Sequence, residues 1–259
     1  MQLGATTAIV GTLVLTVLAA GALNGIAGFG FAIVGTSALA TVLEPSTAVV
    51  FMIIPILAVN LSLARDLSAD QLRSCGRRFG PLIVSALIGT LIGLAALERL
   101  PAAPLRAGLG LLSLGFVATV QRTVPVPGLR WFKESCFVET PIAMVGVGGV
   151  SGVLFGGTNV GVQLIAYLRG RDLSHELFVG VVAMIFLGLN AIRVGAAAGF
   201  GLYPDTSTVV LSSAATIPAV LGVELGKRLR ASVPTRGRRM AVLGLLTVIG
   251  ARLLLGGLA

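Results

Sequence analysis

Two glycine-rich clusters about 127 residues apart hold the groups in this chain best suited to gripping an anion. The first reads Gly21-Ala-Leu-Asn24-Gly25-Ile-Ala-Gly28-Phe29-Gly30. The second reads Gly148-Gly149-Val-Ser151-Gly152-Val-Leu-Phe155-Gly156-Gly157 and runs straight into Thr158 and Asn159. Glycine clustered at a helix break lets the backbone take positive φ and leaves N–H groups without intrahelical acceptors. A helix that starts just after such a break turns its positive end toward whatever lies in front of it, which favours a negative charge. Gly25, Gly28, Phe29 and Gly30 are the candidates in the first cluster, and Gly152, Gly156 and Gly157 in the second. The other role open to these glycines is close helix packing. That role accounts for Gly89-x-x-x-Gly93 and Gly222-x-x-x-Gly226.

Uncharged donors surround the clusters. Thr158 and Asn159 follow the second directly, and Gln163 falls one helical turn beyond Asn159, on the same face. Asn24, Ser151, Asn60 and Asn190 lie in apolar surroundings. Such groups can hydrogen-bond a ligand, or they can join one helix to another. Ionisable groups are few. Arg193, three residues after Asn190, could draw an anion to the mouth of a pathway or snorkel to the headgroups. Glu224, close to Lys227 and Arg228, could form a local ion pair or relay a proton. His175 is the single histidine, and Cys75 and Cys136 have no metal-ligand spacing around them. No phosphate-binding loop ending in Lys-Ser or Lys-Thr is present. The sequence therefore predicts neither cofactor nor metal, and an intramembrane enzyme would lack a nucleophile with its base.

The elements that must position these residues are helices in a bilayer. Of 259 residues 56% are hydrophobic and 11% charged, and mean hydropathy is +1.00. A soluble domain carries about 25% charged residues. Apolar runs fall near 5–27, 28–43, 46–64, 79–97, 105–121, 137–155, 158–168, 176–197, 206–226 and 240–258. They are too long for membrane β-strands and do not alternate. A crossing needs about 20 residues, so the run at 158–168 reads as a re-entrant or strongly tilted element. The net charge of +9 does not imply nucleic-acid binding, because the basic residues sit in short connections between spans.

Fifteen of the 19 basic residues fall at 65–79, 122–136, 169–175 and 226–239. The positive-inside rule puts all four connections in the cytoplasm and both termini outside. This requires 137–168 to enter the membrane and return on the same side. The expected organisation is all-α with two inverted repeats. Residues 1–121 form the first, with a hairpin at 5–43 and spans at 46–64, 79–97 and 105–121. A cytoplasmic linker at 122–136 leads to the second, 137–259, with a hairpin at 137–168 and spans at 176–197, 206–226 and 240–258. Asn60 and Asn190 match at an offset of 130. The two Gly-x-x-x-Gly pairs, Pro101 with Pro234, and Arg106 with Arg239 match at 133. Two related halves with interrupted helices in matching places point to a transporter's binding site.

At Asn24-Gly25-Ile-Ala-Gly28-Phe29-Gly30-Phe31 and at Gly148 through Asn159 the chain resembles the TauE/SafE family of membrane permeases, and the likeness extends over essentially the whole chain. The resemblance implies a multi-pass protein of the bacterial inner membrane that moves small sulfur-containing anions such as sulfite, sulfonates or sulfoacetate. Related thiosulfate permeases use pore cysteines, whereas Cys75 and Cys136 fall in polar connections. The expected function is secondary transport by alternating access, with an anion channel of the same architecture as the alternative. The expected partners are the small anion, the lipid bilayer and a coupling ion, proton or sodium. A homodimer is compatible with the sequence.

Overall fold

The computed structural model describes residues 2–65, 68, 73, 76–120, 140–169 and 175–258. The 122–136 linker, Cys75 and Cys136 lie outside the described residues, as does most of the 169–175 connection. The fold is all-α, with eleven helices among the described residues: α1 Gln2–Ala27, α2 Phe31–Leu39, α3 Pro45–Ala64, α4 Gly80–Leu97, α5 Ala102–Val120, α6 Pro141–Thr158, α7 Val162–Arg169, α8 His175–Gly199, α9 Thr206–Ala214, α10 Thr216–Leu229 and α11 Thr235–Leu258. Seven segments are long and apolar enough to cross a membrane; they lie in α1, α3, α4, α6, α8, α9 with α10, and α11. Their outer faces carry apolar stripes at helical spacing. Val84, Ile88 and Ile92 on α4 are each 57% exposed, and Ile217, Leu221, Leu225 and Leu229 line one face of α10. Water would not tolerate such stripes on a monomer, but lipid solvates them.

The short helices α2 and α7 have 9 and 8 residues, so each spans about 12–14 Å of a hydrocarbon core about 30 Å thick. Gly35 of α2 lies against Ala20 of α1, so α2 doubles back along its long partner. Likewise α7 packs on α6.

The dominant helix contacts join the two halves of the chain in reciprocal pairs: α1 with α10, α4 with α6, α3 with α8, and α5 with α11. The glycines show the register. A methyl group added at Gly21 would strike the carbonyl of Ala219, and one at Gly152 that of Ala86. Gly25 meets Val223 O and Gly156 meets Thr90 O. In the other direction Gly222 meets Leu18 O and Gly89 meets Gly149 O, while Gly226 meets Ala22 O and Gly93 meets Val153 O. Equivalent residues are thus 131 apart in α1 and α6, and 133 apart in α4 and α10. The 127-residue spacing read from the sequence is one helical turn short. A glycine every fourth residue looks the same when slid by four, and only the partner helix breaks the tie.

These contacts also fix direction. Both close pairs, α1 with α10 and α4 with α6, run parallel. Between α5 and α11 the order reverses, since Gly110 meets Gly250 and Leu254 while Gly257 meets Ala103 and Ala107. α3 and α8 also run antiparallel. The first half of α3 (Val49, Val50, Ile53) packs with Val194, Ala196 and Ala197 near the end of α8.

Two prolines shape the centre. Pro55 within α3 cannot donate to Phe51 O, and Ser212 of α9 supplies the missing hydrogen bond at 2.5 Å. Pro218 similarly leaves Ala214 O without a helical donor, and the expected single span 206–226 divides there into α9 and α10. Ser213 and Thr216 donate back to Val209 O and Ser213 O, which bends the helix further.

Candidate functional site

In each half the break falls where a residue takes positive φ. Gly28 (φ 82°) and Gly30 (φ 107°) end α1 and lead into α2. Asn24 holds this turn at both ends. Its carbonyl accepts from Gly28 N–H at 2.7 Å, and its Oδ1 accepts from Phe31 N–H at 3.2 Å. In the second half α6 continues through Thr158, and the break is at Asn159 (φ 61°), whose N–H donates to Phe155 O at 2.9 Å. Asn159 therefore stands where Gly28 stands, 131 residues on. The helix ends later than the Gly156-Gly157 pair suggested, because Thr158 donates to Leu154 O and accepts from Val160 N–H, closing the last turn itself.

The two breaks meet at a cavity of about 750 Å³, counting the part open to solvent. Asn24, Gly28, Phe29, Gly30, Asn60 and Asn159 line it, six of the residues singled out in the sequence. The rest of the wall is apolar, with five phenylalanines, Phe31, Phe116, Phe155, Phe178 and Phe186, among aliphatic residues that include Ile56, Val59 and Leu63. Among the described residues, none that lines it is acidic. Asn60 makes no hydrogen bond among the described residues, and Asn24 Nδ2 has no acceptor there. Ala32 and Ile33, in the first turn of α2, also line the cavity, and their N–H groups precede any intrahelical acceptor. Free amides and a helix N-terminus thus face a space walled by phenylalanine.

The cavity lies along the second half of α3 (Ile56 to Leu63) and the first half of α8 (Phe178 to Phe186). On the opposite side the first half of α3 and the end of α8 are packed shut. Arg193 sits in that closed side with no exposed surface. Its Nη1 donates to Asn159 Oδ1 and, at 3.2 Å, to Asn190 Oδ1, and its Nη2 donates to Gly156 O at 3.0 Å. Its guanidinium carbon is 5.0 Å from the centre of the Phe155 ring, a cation–π contact. Asn159 Nδ2 crosses to the first half of the chain, donating to Thr36 Oγ1 and Val49 O, each at 2.9 Å. Snorkelling, one of the two roles considered for Arg193, is ruled out by this burial, and so is an exposed mouth position in this conformation.

The structure moves several other candidates out of the cavity. Gly25, Gly152 and Gly156 lie within helices at backbone contacts, so their lack of a side chain serves packing. Gly157 lies close to Gly93 O. Ser151 is fully buried in α6 and its hydroxyl has no partner among the described residues. Gln163 is on α7 and not among the lining residues, and its buried Oε1 has no partner among the described residues. Asn190 is fully buried and spends its amide on Phe186 O, at 2.8 Å. Glu224 pairs with Arg228 at 3.7 Å, both side chains being largely exposed. The phenylalanine wall was missed. Its residues are spread over four helices, α2, α5, α6 and α8, and nothing in their local spacing separates them from lipid-facing phenylalanines.

No curated protein and no solved structure matches the chain. The family model described as sulfite exporter TauE/SafE matches residues 13–253, which takes in both breaks, all the cavity residues and Arg193. The chain belongs to the sulfite exporter TauE/SafE family of membrane transporters.

Proposed function

We propose that the protein is a secondary carrier of a small sulfur-containing oxyanion, of the sulfite, sulfonate or sulfoacetate type, working by alternating access across the bacterial inner membrane. One observation carries the reading. The breaks of both halves meet at a cavity lined by free amides and helix-start N–H groups, with no carboxylate on its wall among the described residues. Uncharged donors can hold an anion and still release it, each hydrogen bond to a charged ligand contributing about 1.5–3 kcal/mol. The open side lies along the end of α3 and the start of α8, the ends of these helices that the charge bias assigns to the cytoplasm; the conformation is then inward-open.

Reciprocal contacts at equivalent residues, with α3 against α8 and α5 against α11 antiparallel, support inverted repeats as the basis of alternation. An anion channel would need a path open at both ends, and the packed side around Val49, Ala197 and Arg193 favours the carrier. Counterflow in proteoliposomes tests this. Sulfite or sulfoacetate loaded on the trans side should accelerate uptake of the labelled anion, and flux indifferent to trans anion would favour the channel.

A further inference from the structure

Arg193 is a fully buried cation with no carboxylate partner among the described residues. Its acceptors, Asn159, Asn190 and the Gly156 carbonyl, are all neutral, and its Nε has none. A charge taken out of water without a counter-charge is poorly compensated. Guanidinium is also the side chain whose planar fork best fits an oxyanion.

The correspondence between the halves gives this position a meaning. At the 130-residue offset that relates Asn60 to Asn190, Arg193 corresponds to Leu63 and Leu189 to Val59. At the 131-residue offset of the breaks, Asn159 corresponds to Gly28. Leu63, Asn60, Val59 and Gly28 all line the open cavity. Three of their counterparts, Arg193, Asn190 and Leu189, are fully buried and away from that wall, and the fourth, Asn159, stands where the present cavity ends against Arg193. If the halves exchange conformations, those counterparts become the wall of the opposite cavity. We propose that they form a second, outward-facing oxyanion site, in which Arg193 supplies the charge that the inner cavity lacks. In the present conformation Asn159 Oδ1 occupies the place that the anion's oxygen takes when this side opens. The two faces of the carrier therefore differ in kind: neutral amides on one, a guanidinium on the other. This inference rests on the carrier reading above.

Flux of sulfite from each face of oriented proteoliposomes tests it. In Arg193→Gln the half-saturating sulfite concentration should rise at least tenfold for anion offered outside and less than twofold for anion offered inside, with Arg193→Lys recovering much of the loss. An equal change on both faces, or none, overturns the second site. If the unaltered protein moves no sulfite from either face, the carrier reading itself has failed.

A second measurement keeps Arg193 in place. Leu189→Cys, in a background with Cys75→Ser and Cys136→Ser, is treated from outside with methanethiosulfonates carrying either a sulfonate or a trimethylammonium group. Relative to their rates with a free thiol, the sulfonate reagent should react at least tenfold faster than the cationic one. No reaction from outside, or no preference for the anion, overturns the proposal.

Discussion

The hydroxyl of Ser212 donates to the carbonyl of Phe51, the carbonyl that Pro55 leaves without its helical partner. A hydrogen bond from a different helix thus repairs the break that proline makes in the central span. Ser212→Ala should lower stability by about 1–3 kcal/mol, the cost of a buried unsatisfied acceptor, as measured by thermal unfolding in detergent. In a Pro55→Ala background the new N–H can satisfy Phe51 O, and the Ser212→Ala penalty should then shrink. Additive effects in this double-mutant cycle would contradict the repair.

Gly156 and Gly149 lie on the same helix but face different surroundings. A methyl group at Gly156 meets the carbonyl of Thr90 and the backbone of Leu94, whereas one at Gly149 meets nothing. Gly156→Ala should destabilise by about 1–3 kcal/mol through overpacking, and Gly149→Ala should be neutral or slightly stabilising. Comparing the unfolding temperatures of the two variants checks this.

Asn60 and Asn159 both line the cavity, but only Asn159 is tied into the protein. Asn60→Leu should weaken sulfite binding by about 1.5–3 kcal/mol, roughly tenfold to a hundredfold, with little effect on stability. Asn159→Leu should lose stability as well, because it removes the acceptor of Arg193 and two donated bonds. Isothermal titration with sulfite, alongside unfolding curves, separates the two. Unchanged affinity in folded Asn60→Leu would take Asn60 out of the site.

Single cysteines placed at 65–79, 122–136, 169–175 and 226–239 should label only from the cytoplasmic side, and cysteines at either terminus only from outside. Labelling of the 169–175 connection solely from outside would contradict the inverted halves, since it would turn 137–168 into a single crossing.

Asp205 caps the start of α9. Its Oδ1 accepts from Ser207 Oγ at 2.7 Å, from Thr208 Oγ1 at 2.8 Å and from Thr208 N–H at 2.6 Å. These bonds, that from Ser207 foremost, hold its pKa below the ordinary carboxylate value. A depressed pKa in the folded state means that the charged cap contributes fully above the ordinary value, about 3.9, and is lost as pH falls through the lower folded value. The difference in unfolding temperature between wild type and Asp205→Asn should be flat from pH 7 to 5 and change only in the acid range below. A difference curve already sloping near neutrality would assign the effect to another group.

The residue pattern is enough to put the chain in a bilayer and to show one glycine spacing in two places. Long runs of apolar side chains admit one backbone solution in lipid, the helix, and repeated glycine spacings survive in any folded form. It also determined that helices break near Gly28–Gly30, because positive φ there needs a residue without a side chain. The exact second break was less legible. Asparagine tolerates positive φ, yet nothing local distinguishes Asn159 as the turn from the glycines before it, which proved to face the backbones of α4. The place of Arg193 was settled by packing between helices. Local sequence allows it to snorkel or to line a mouth, and its burial depends on acceptors from α6 and on the closure of α3 over the end of α8. Those groups lie 34 to 144 residues away in the chain. Their arrival at one point is a property of helix packing, which short-range spacing does not encode.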